Sequence, residues 1–368
     1  MLGGGQLGRM IIQAGMNFNL RISILDPDKD APCKSIADVF QVGSLMDFDT
    51  VYLFGKKVDL LTIEIEHVNV EALERLEKEG VKVFPQPHII KTIQDKGLQK
   101  LFYQQNKIPT STFRLIDLKS ELLKHTDFFP FFQKMRKGGY DGKGVQRISS
   151  ENDFTKAFEQ PSVLEKQVDI LKELAVIVAR NENGETKSFP TVELDFHPEA
   201  NLVEFLFSPA EVSLEIEKRA EEIAMHVAQS LQIVGLLAVE MFLTKSGEVL
   251  VNEIAPRVHN SGHHTIEGNV TSQFEQHLRA ILNLPLGSTE IKTPAVMVNL
   301  LGEAGFDGIA KYAGLDEALK VDGVAVHLYG KKFTRPFRKM GHVTITDTRL
   351  ETAKEKAKFV KHTLKVIA

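Results

Sequence analysis

The chain has 368 residues, too many for one hydrophobic core and enough for two or three domains. Apolar content of 43% and charged content of 26% are ordinary for a soluble globular protein, and a net charge of -4 argues against a protein that coats nucleic acid. Cys33 is the single cysteine, so no intramolecular disulfide and no cysteine metal cluster is expected, which suits a reducing cytosol. No apolar run reaches membrane-spanning length and no signal peptide is apparent, so no membrane partner is expected either.

The chain opens Gly3-Gly4-Gly5-Gln6-Leu7-Gly8-Arg9-Met10. Gly3, Gly5 and Gly8 satisfy G-x-G-x-x-G, an amphipathic run to about Gly15 follows, and Leu20 to Leu25 reads as a strand ending at Asp26. This is nearly a dinucleotide fingerprint, but only Met1 and Leu2 precede it where a strand belongs. Bare amides at a helix N-terminus bind any phosphate, so the pattern predicts an anion site near Gly5 to Gly8; a tight turn without a ligand is the alternative. Val58 to Ile65, Val70 to Glu79 and Val81 to Phe84 then read as strand, helix and strand, which predicts a parallel sheet with covering helices. Glu64 and Glu66 end the first of these strands, where open α/β sheets bind ligands, and are candidate contacts for a ligand hydroxyl. Pro85 and Pro87 break the pattern and place a boundary near Ile89.

Thr92 to Gln105 reads as a helix carrying Asp95, Lys96 and Lys100. Phe128 to Arg136 reads as a strand with Lys134 near its end, and Val145 to Ile148 as another. Between them Gly138, Gly139, Gly142 and Gly144 make a loop whose amides can curl over phosphates. It lacks the Gly-Lys-Ser/Thr of a P-loop, and its mechanism is closer to the nucleotide-covering loop of kinase-like sites. Val163 to Val168 and Glu173 to Arg180 read as strands, and Glu215 to Gln232 as an amphipathic helix of near-3.6 period.

Leu236 to Arg257 contains two strand-length apolar runs around Lys245-Ser246-Gly247-Glu248, a hairpin pattern. A two-residue turn at Ser246-Gly247 places Glu240 directly opposite Glu253. Facing like charges destabilise a strand pair unless they are protonated or hold a cation. Two facing carboxylates suit Mg²⁺, which takes one or two such ligands plus waters and phosphates; the alternative is that one Glu lies screened on a solvent face. Beyond a linker bracketed by Pro285 and Pro294, Ala295 to Leu301, Ala325 to Tyr329 and His342 to Thr346 read as strands and Thr352 to Lys365 as a helix. Arg335 to His342 is a small basic cluster at a strand start.

Three motifs together carry a family resemblance: the opening Gly3 to Met10, Gly139-Tyr140-Asp141-Gly142-Lys143-Gly144, and Asn252-Glu253-Ile254-Ala255-Pro256-Arg257-Val258-His259-Asn260-Ser261-Gly262-His263. The chain resembles the N5-carboxyaminoimidazole ribonucleotide synthases, ATP-grasp enzymes of purine biosynthesis, over nearly its whole length. The resemblance implies an α/β and α+β chain of three domains: a Rossmann-like pre-ATP-grasp domain at 1–88, an ATP-grasp fold at 89–288 and a small β-rich C-terminal domain at 289–368. It implies ATP and Mg²⁺ as cofactors, bicarbonate and 5-aminoimidazole ribonucleotide as substrates, a cytoplasmic location and a homodimer.

By motif, the resemblance implies that Lys96 and Lys134 hold the ATP phosphates while the loop from Gly138 to Gly144 closes over them. Glu165, Lys166 and Val168 would line the adenine and Glu173 would bind the ribose. Glu240 and Glu253, with Asn252 beside them, would hold Mg²⁺. Gln6, Leu7, Glu66, Arg257, Arg338 and Lys339 would face the ribonucleotide, and Tyr140, Asp141, Lys143 and His259 would frame the carboxylation site. Lys96 stands where an arginine is commoner in the family, keeping charge but losing the bidentate fork. Three alternatives are another ATP-grasp ligase, such as a formate-dependent transformylase or a biotin carboxylase, an NAD-linked oxidoreductase, and a nucleotide-sensing regulator without catalysis.

Overall fold

A computed structural model describes residues 1–139, 144–196 and 202–368. Near the N-terminus, parallel pairs join Ser23–Asp26 to Val39–Val42 and Leu60–Leu61 to Lys82–Val83. Ahead of the opening glycines, Leu2 bridges both Ile63 and Leu25 in parallel. Helices Gln6–Met16, Phe48–Gly55 and Val70–Lys78 accompany these strands, the last two capped by Asp47 and Asn69 side chains. Phe48–Gly55 and Val39–Val42 were not anticipated from sequence, because Val39–Val42 is a half-exposed edge strand without apolar alternation.

The expected helix from Thr92 to Gln105 is two helices, Pro87–Ile93 and Lys96–Gln105. Asp95 separates them because its carboxylate caps the second, accepting from the Gly97 and Leu98 amides. A four-stranded antiparallel sheet follows in the order Phe113–Ile116, Ser162–Lys166, Phe131–Met135, Val145–Ile148. The glycine loop leaves it after Met135.

The centre of the molecule is an antiparallel sheet of nine strands among the described residues. Its order is Val249–Ala255, Gly235–Thr244, Ile170–Arg180, Val192–Phe196, Val203–Ser208, Ala295–Leu301, Lys339–Thr346 and Val324–Leu328, with Thr186–Ser188 added beside Ile170–Arg180. The strands expected of a separate C-terminal unit thus extend the central sheet, with Phe205 paired to Val298. Helix Leu214–Leu231 packs Ile223, Ala224 and Val227 onto one face of the hairpin, against Val239, Met241 and Val251. The same alternation turns Glu240 to the other face.

The hairpin turn differs from expectation. Leu243 pairs with Val249 and the Thr244 amide bonds to the Glu248 carbonyl, so three residues, Lys245 to Gly247, form the loop. Gly247 takes φ +88°, the left-handed geometry that a three-residue hairpin loop needs. One extra turn residue would slide the register by one, yet Glu240 still faces Glu253. The register shifts back between them because Met241 pairs with Val251 and Glu240 with Glu253, leaving Asn252 as a bulge.

Candidate active site

Glu240 and Glu253 stand opposite each other, and Glu173 lies on the neighbouring strand, paired with Phe242 and so on the same face. From the helix Lys96–Gln105, the Lys96 ammonium reaches the Glu253 carboxylate at 2.8 Å. From the four-stranded sheet, Lys134 reaches the Asn252 side-chain oxygen at 3.0 Å and Glu165 at 3.1 Å. The bulge is why Asn252 and Glu253, adjacent in sequence, both meet lysines in this cleft: a regular strand would turn one of them away.

The electrostatics divide the two acids. Lys96 holds Glu253 well below the usual carboxylate range. Burial, then Glu253 and Glu173, push Glu240 up. Burial also pushes Glu173 up to about 7. Burial and mutual repulsion thus disfavour ionising Glu240 and Glu173 on this face, and a cation held between the acids would relieve both costs. Among the described residues no three His, Cys, Asp or Glu side chains gather tightly enough to hold a metal alone. Two carboxylates and an amide oxygen leave the remaining positions to waters and phosphates, a donor set that fits Mg²⁺.

Glu165 departs from expectation. Its side chain does not face a base; it is buried at 5% exposure between Lys134 and Lys100, each 3.1 Å away. Burial alone would raise its pKa, but the two lysines outweigh burial and hold it at about 2. The Lys166 ammonium donates to the Phe128 and Phe129 carbonyls. Its stem, with Gln167 and Val168, lines a cavity of about 300 Å³ that runs to Ser111, Thr244 and Leu250. The Glu165 carboxylate and the Lys166 ammonium are thus both engaged within the protein, while Lys166, Gln167 and Val168 border the cavity.

The opening motif from Gly3 to Gly8 also differs from expectation. The Gly5 and Gly8 amides donate to the Glu64 carboxylate at 2.6 and 2.7 Å, so the protein's own acid fills the place expected for an external anion. Burial pushes Glu64 up, while the two amides oppose it. A Cβ on Gly5 would lie 2.5 Å from Glu64, which explains glycine there. Leu7 is 8% exposed and packs in the core beside Met10 and Ile11; its amide and that of Gln6 head the helix.

Glu66 and Arg257, placed 191 residues apart in sequence, form an ion pair at 2.8 Å that links the N-terminal unit to the motif after Glu253. His259 follows in the same motif. Its Nδ1 accepts from the Ser261 amide and lies 2.9 Å from the Ser261 hydroxyl, so the ring proton belongs on Nε2, 3.6 Å from Glu240. Burial, with Arg257 and Lys339 nearby, pushes His259 down to about 3, so the ring is a neutral donor. His263 is instead buried in a stack, 4.5 Å from the His342 ring, and serves packing rather than acid–base chemistry. Lys339 begins the strand paired to Leu301, and its charge is felt at both Glu240 and His259. Arg338, half-buried, donates to the Phe333 carbonyl. Gly138 and Gly144 flank the loop with φ +80° and +78°. Tyr140, Asp141, Gly142 and Lys143 lie outside the described residues.

Sequence reasoning missed one clamp. Arg136 grips Asp95 through two bonds of 2.9 Å, and its carbonyl accepts from the Lys96 amide at 2.8 Å. The base of the glycine loop is thereby tied to the residue that caps the lysine-bearing helix. An Asp directly before a helix was the available signal.

Three family models match in succession: the ribonucleotide synthetase preATP-grasp domain at 1–94, the ATP-grasp domain at 101–274 and the phosphoribosylaminoimidazole carboxylase C-terminal domain at 295–356. The crystal structure of N5-carboxyaminoimidazole ribonucleotide synthetase from Thermotoga maritima is 46% identical with a TM-score of 0.92, covering 100% of this chain and 98% of that one. The Aspergillus clavatus N5-carboxyaminoimidazole synthase, solved with ADP and 5-aminoimidazole ribonucleotide, is 35% identical with a TM-score of 0.89 over 98% and 96% of the two chains. The chloroplastic phosphoribosylaminoimidazole carboxylase of Vigna aconitifolia is 42% identical over 96% of this chain, which spans 64% of that protein's length.

Proposed function

We infer, because this chain belongs to the N5-carboxyaminoimidazole ribonucleotide synthetase family of ATP-grasp proteins, that it carboxylates 5-aminoimidazole ribonucleotide at the expense of ATP. The observation that carries the reading is the facing pair Glu240 and Glu253 with Lys96 and Lys134 closing on it from two other elements. A bicarbonate oxygen attacks the γ-phosphorus and ADP departs, giving carboxyphosphate. The 5-amino nitrogen then bonds to its carbon, or to CO₂ released from it, as phosphate leaves and the amine loses a proton.

Little covalent work falls to the protein; alignment and charge do most of it. Lys96 and Lys134 bind the phosphates. Glu240, Glu253 and Asn252 would hold Mg²⁺, which when bound neutralises charge on the transferring phosphoryl group. Lys166 and Val168 border the adenine, with Glu165 contributing backbone only, and Glu173 meets the ribose. The ribonucleotide lies between Glu66, Arg257, Arg338, Lys339 and the Gln6–Leu7 helix end, beneath His259. Gly138, Gly139 and Gly144, with Tyr140, Asp141, Gly142 and Lys143, close over the reacting groups and keep water from carboxyphosphate.

We retain a three-unit division at 1–88, 89–288 and 289–368 and a cytoplasmic homodimer as part of this reading. Among the described residues no helix is long and apolar enough to cross a membrane. The test is ADP release with and without ribonucleotide and bicarbonate, together with label transfer from bicarbonate to product. Dependence on both substrates supports the reading; ATP hydrolysis indifferent to them, or none, overturns it. Elution mass in solution decides the dimer.

A further inference from the structure

Lys100 is a buried cation that the proposed reaction does not use. It sits one turn after Lys96 on the same helix face, and only 2% of it is exposed. Its ammonium has three donors and three partners: Thr110 Oγ1 at 2.7 Å, Ser111 Oγ at 3.2 Å and Glu165 Oε2 at 3.1 Å. Ser111 adds a bond of 2.8 Å to the same Glu165 oxygen. The other oxygen of Glu165 meets Lys134. The Thr110 hydroxyl in turn donates a hydrogen bond to the Val251 carbonyl, beside the Asn252 bulge, at 2.7 Å.

Glu165 is thus one carboxylate shared by two lysines, one sealed behind it and one facing the cleft. Were Lys100 neutral, the whole of that buried charge would fall on Lys134 at about 3 Å, where coupling is strong. Lys134 would then be held as an internal ion pair. With Lys100 present, Glu165 is already compensated from behind and Lys134 has charge to offer.

We propose that Lys100 is a positioning residue for nucleotide binding: it takes up part of the Glu165 charge from the buried side, so that Lys134 is only partly compensated and keeps charge for the nucleotide phosphates. The inference rests on the nucleotide-binding part of the function proposed above. A residue kept only to satisfy a buried acid would affect stability alone. Lys100 acting through Lys134 shifts nucleotide affinity and spares the ribonucleotide.

The test is calorimetric binding of ADP to the full chain, alongside the KM for each substrate. Lys100→Met weakens ADP binding and raises the KM for ATP by roughly 10- to 100-fold, the range for a lost charge-assisted contact, with the KM for 5-aminoimidazole ribonucleotide unchanged. Lys100→Met/Glu165→Gln removes both buried charges; it recovers ADP affinity to within about threefold, and folds if the single variant does not. The inference is overturned if Lys100→Met binds ADP as the wild type does, or if the double variant binds as weakly as a folded Lys100→Met or, where that does not fold, binds ADP more than about tenfold weaker than the wild type. A wild type that binds ADP but shows no ribonucleotide-dependent turnover removes the substrate assignment and leaves Lys100's role standing. A wild type that binds no adenine nucleotide overturns both.

Discussion

Glu240 faces Glu253 across the hairpin although the turn between them is one residue too long for that pairing, because the bulge at Asn252 takes up the extra residue. The pair is strained electrostatically, since each acid raises the cost of ionising the other. Glu240→Gln is therefore expected to raise thermal stability in metal-free buffer, by up to roughly 1 kcal/mol, while lowering turnover. Melts with and without Mg²⁺ check this: Mg²⁺ stabilises the wild type and leaves the variant nearly unmoved. A variant less stable than the wild type would remove the repulsion from the account.

Glu253→Gln removes the charge that Lys96 holds at 2.8 Å. Turnover is expected to fall by about 10³-fold or more, the scale of losing a metal or electrostatic clamp on a transferring phosphoryl group. Circular dichroism should stay native. Retained ADP release would eliminate the metal role for this acid.

Glu165 sets an acid limit on stability. Its folded pKa of about 2 lies below the ordinary 4.5, so its ionised form is favoured by folding. The contribution is fully present above pH 4.5 and disappears as pH falls towards 2. Denaturant midpoints of the wild type should drop across that window, and Glu165→Gln should show a shallower drop. Parallel curves would argue against the two-lysine arrangement.

Glu64 takes the place of an anion at the opening glycines, Gly5 and Gly8. Glu64→Ala strands the Gly5 and Gly8 amides and should cost about 2–5 kcal/mol, with acetate restoring part of it in the variant and none in the wild type. NADH fluorescence should show no binding to the wild type. Saturable NADH binding would reopen the dinucleotide reading of the opening motif.

Arg257 ties to Glu66 across two parts of the molecule. Arg257→Met should raise the KM for the ribonucleotide by roughly 10²-fold with the KM for ATP little changed, as losing one charged anchor on one substrate predicts. Equal changes in both constants would mean that the pair only braces the fold.

Local chemistry made much of this protein legible. Apolar alternation marked the hairpin from Leu236 to Arg257, and the 3.6 period marked the helix Leu214–Leu231. Those features are written in neighbouring residues, as are the motifs that mark the family. What neighbours cannot state is where a side chain ends. Gly5 and Gly8 look open to a phosphate until Glu64 arrives from 56 residues downstream of Gly8. Glu165 looks available to a base until Lys100 and Lys134 close on it from two other elements. A buried charge must find its partner in three dimensions, because the cost of leaving it alone exceeds any local preference, and that demand is met by residues that sequence order keeps apart.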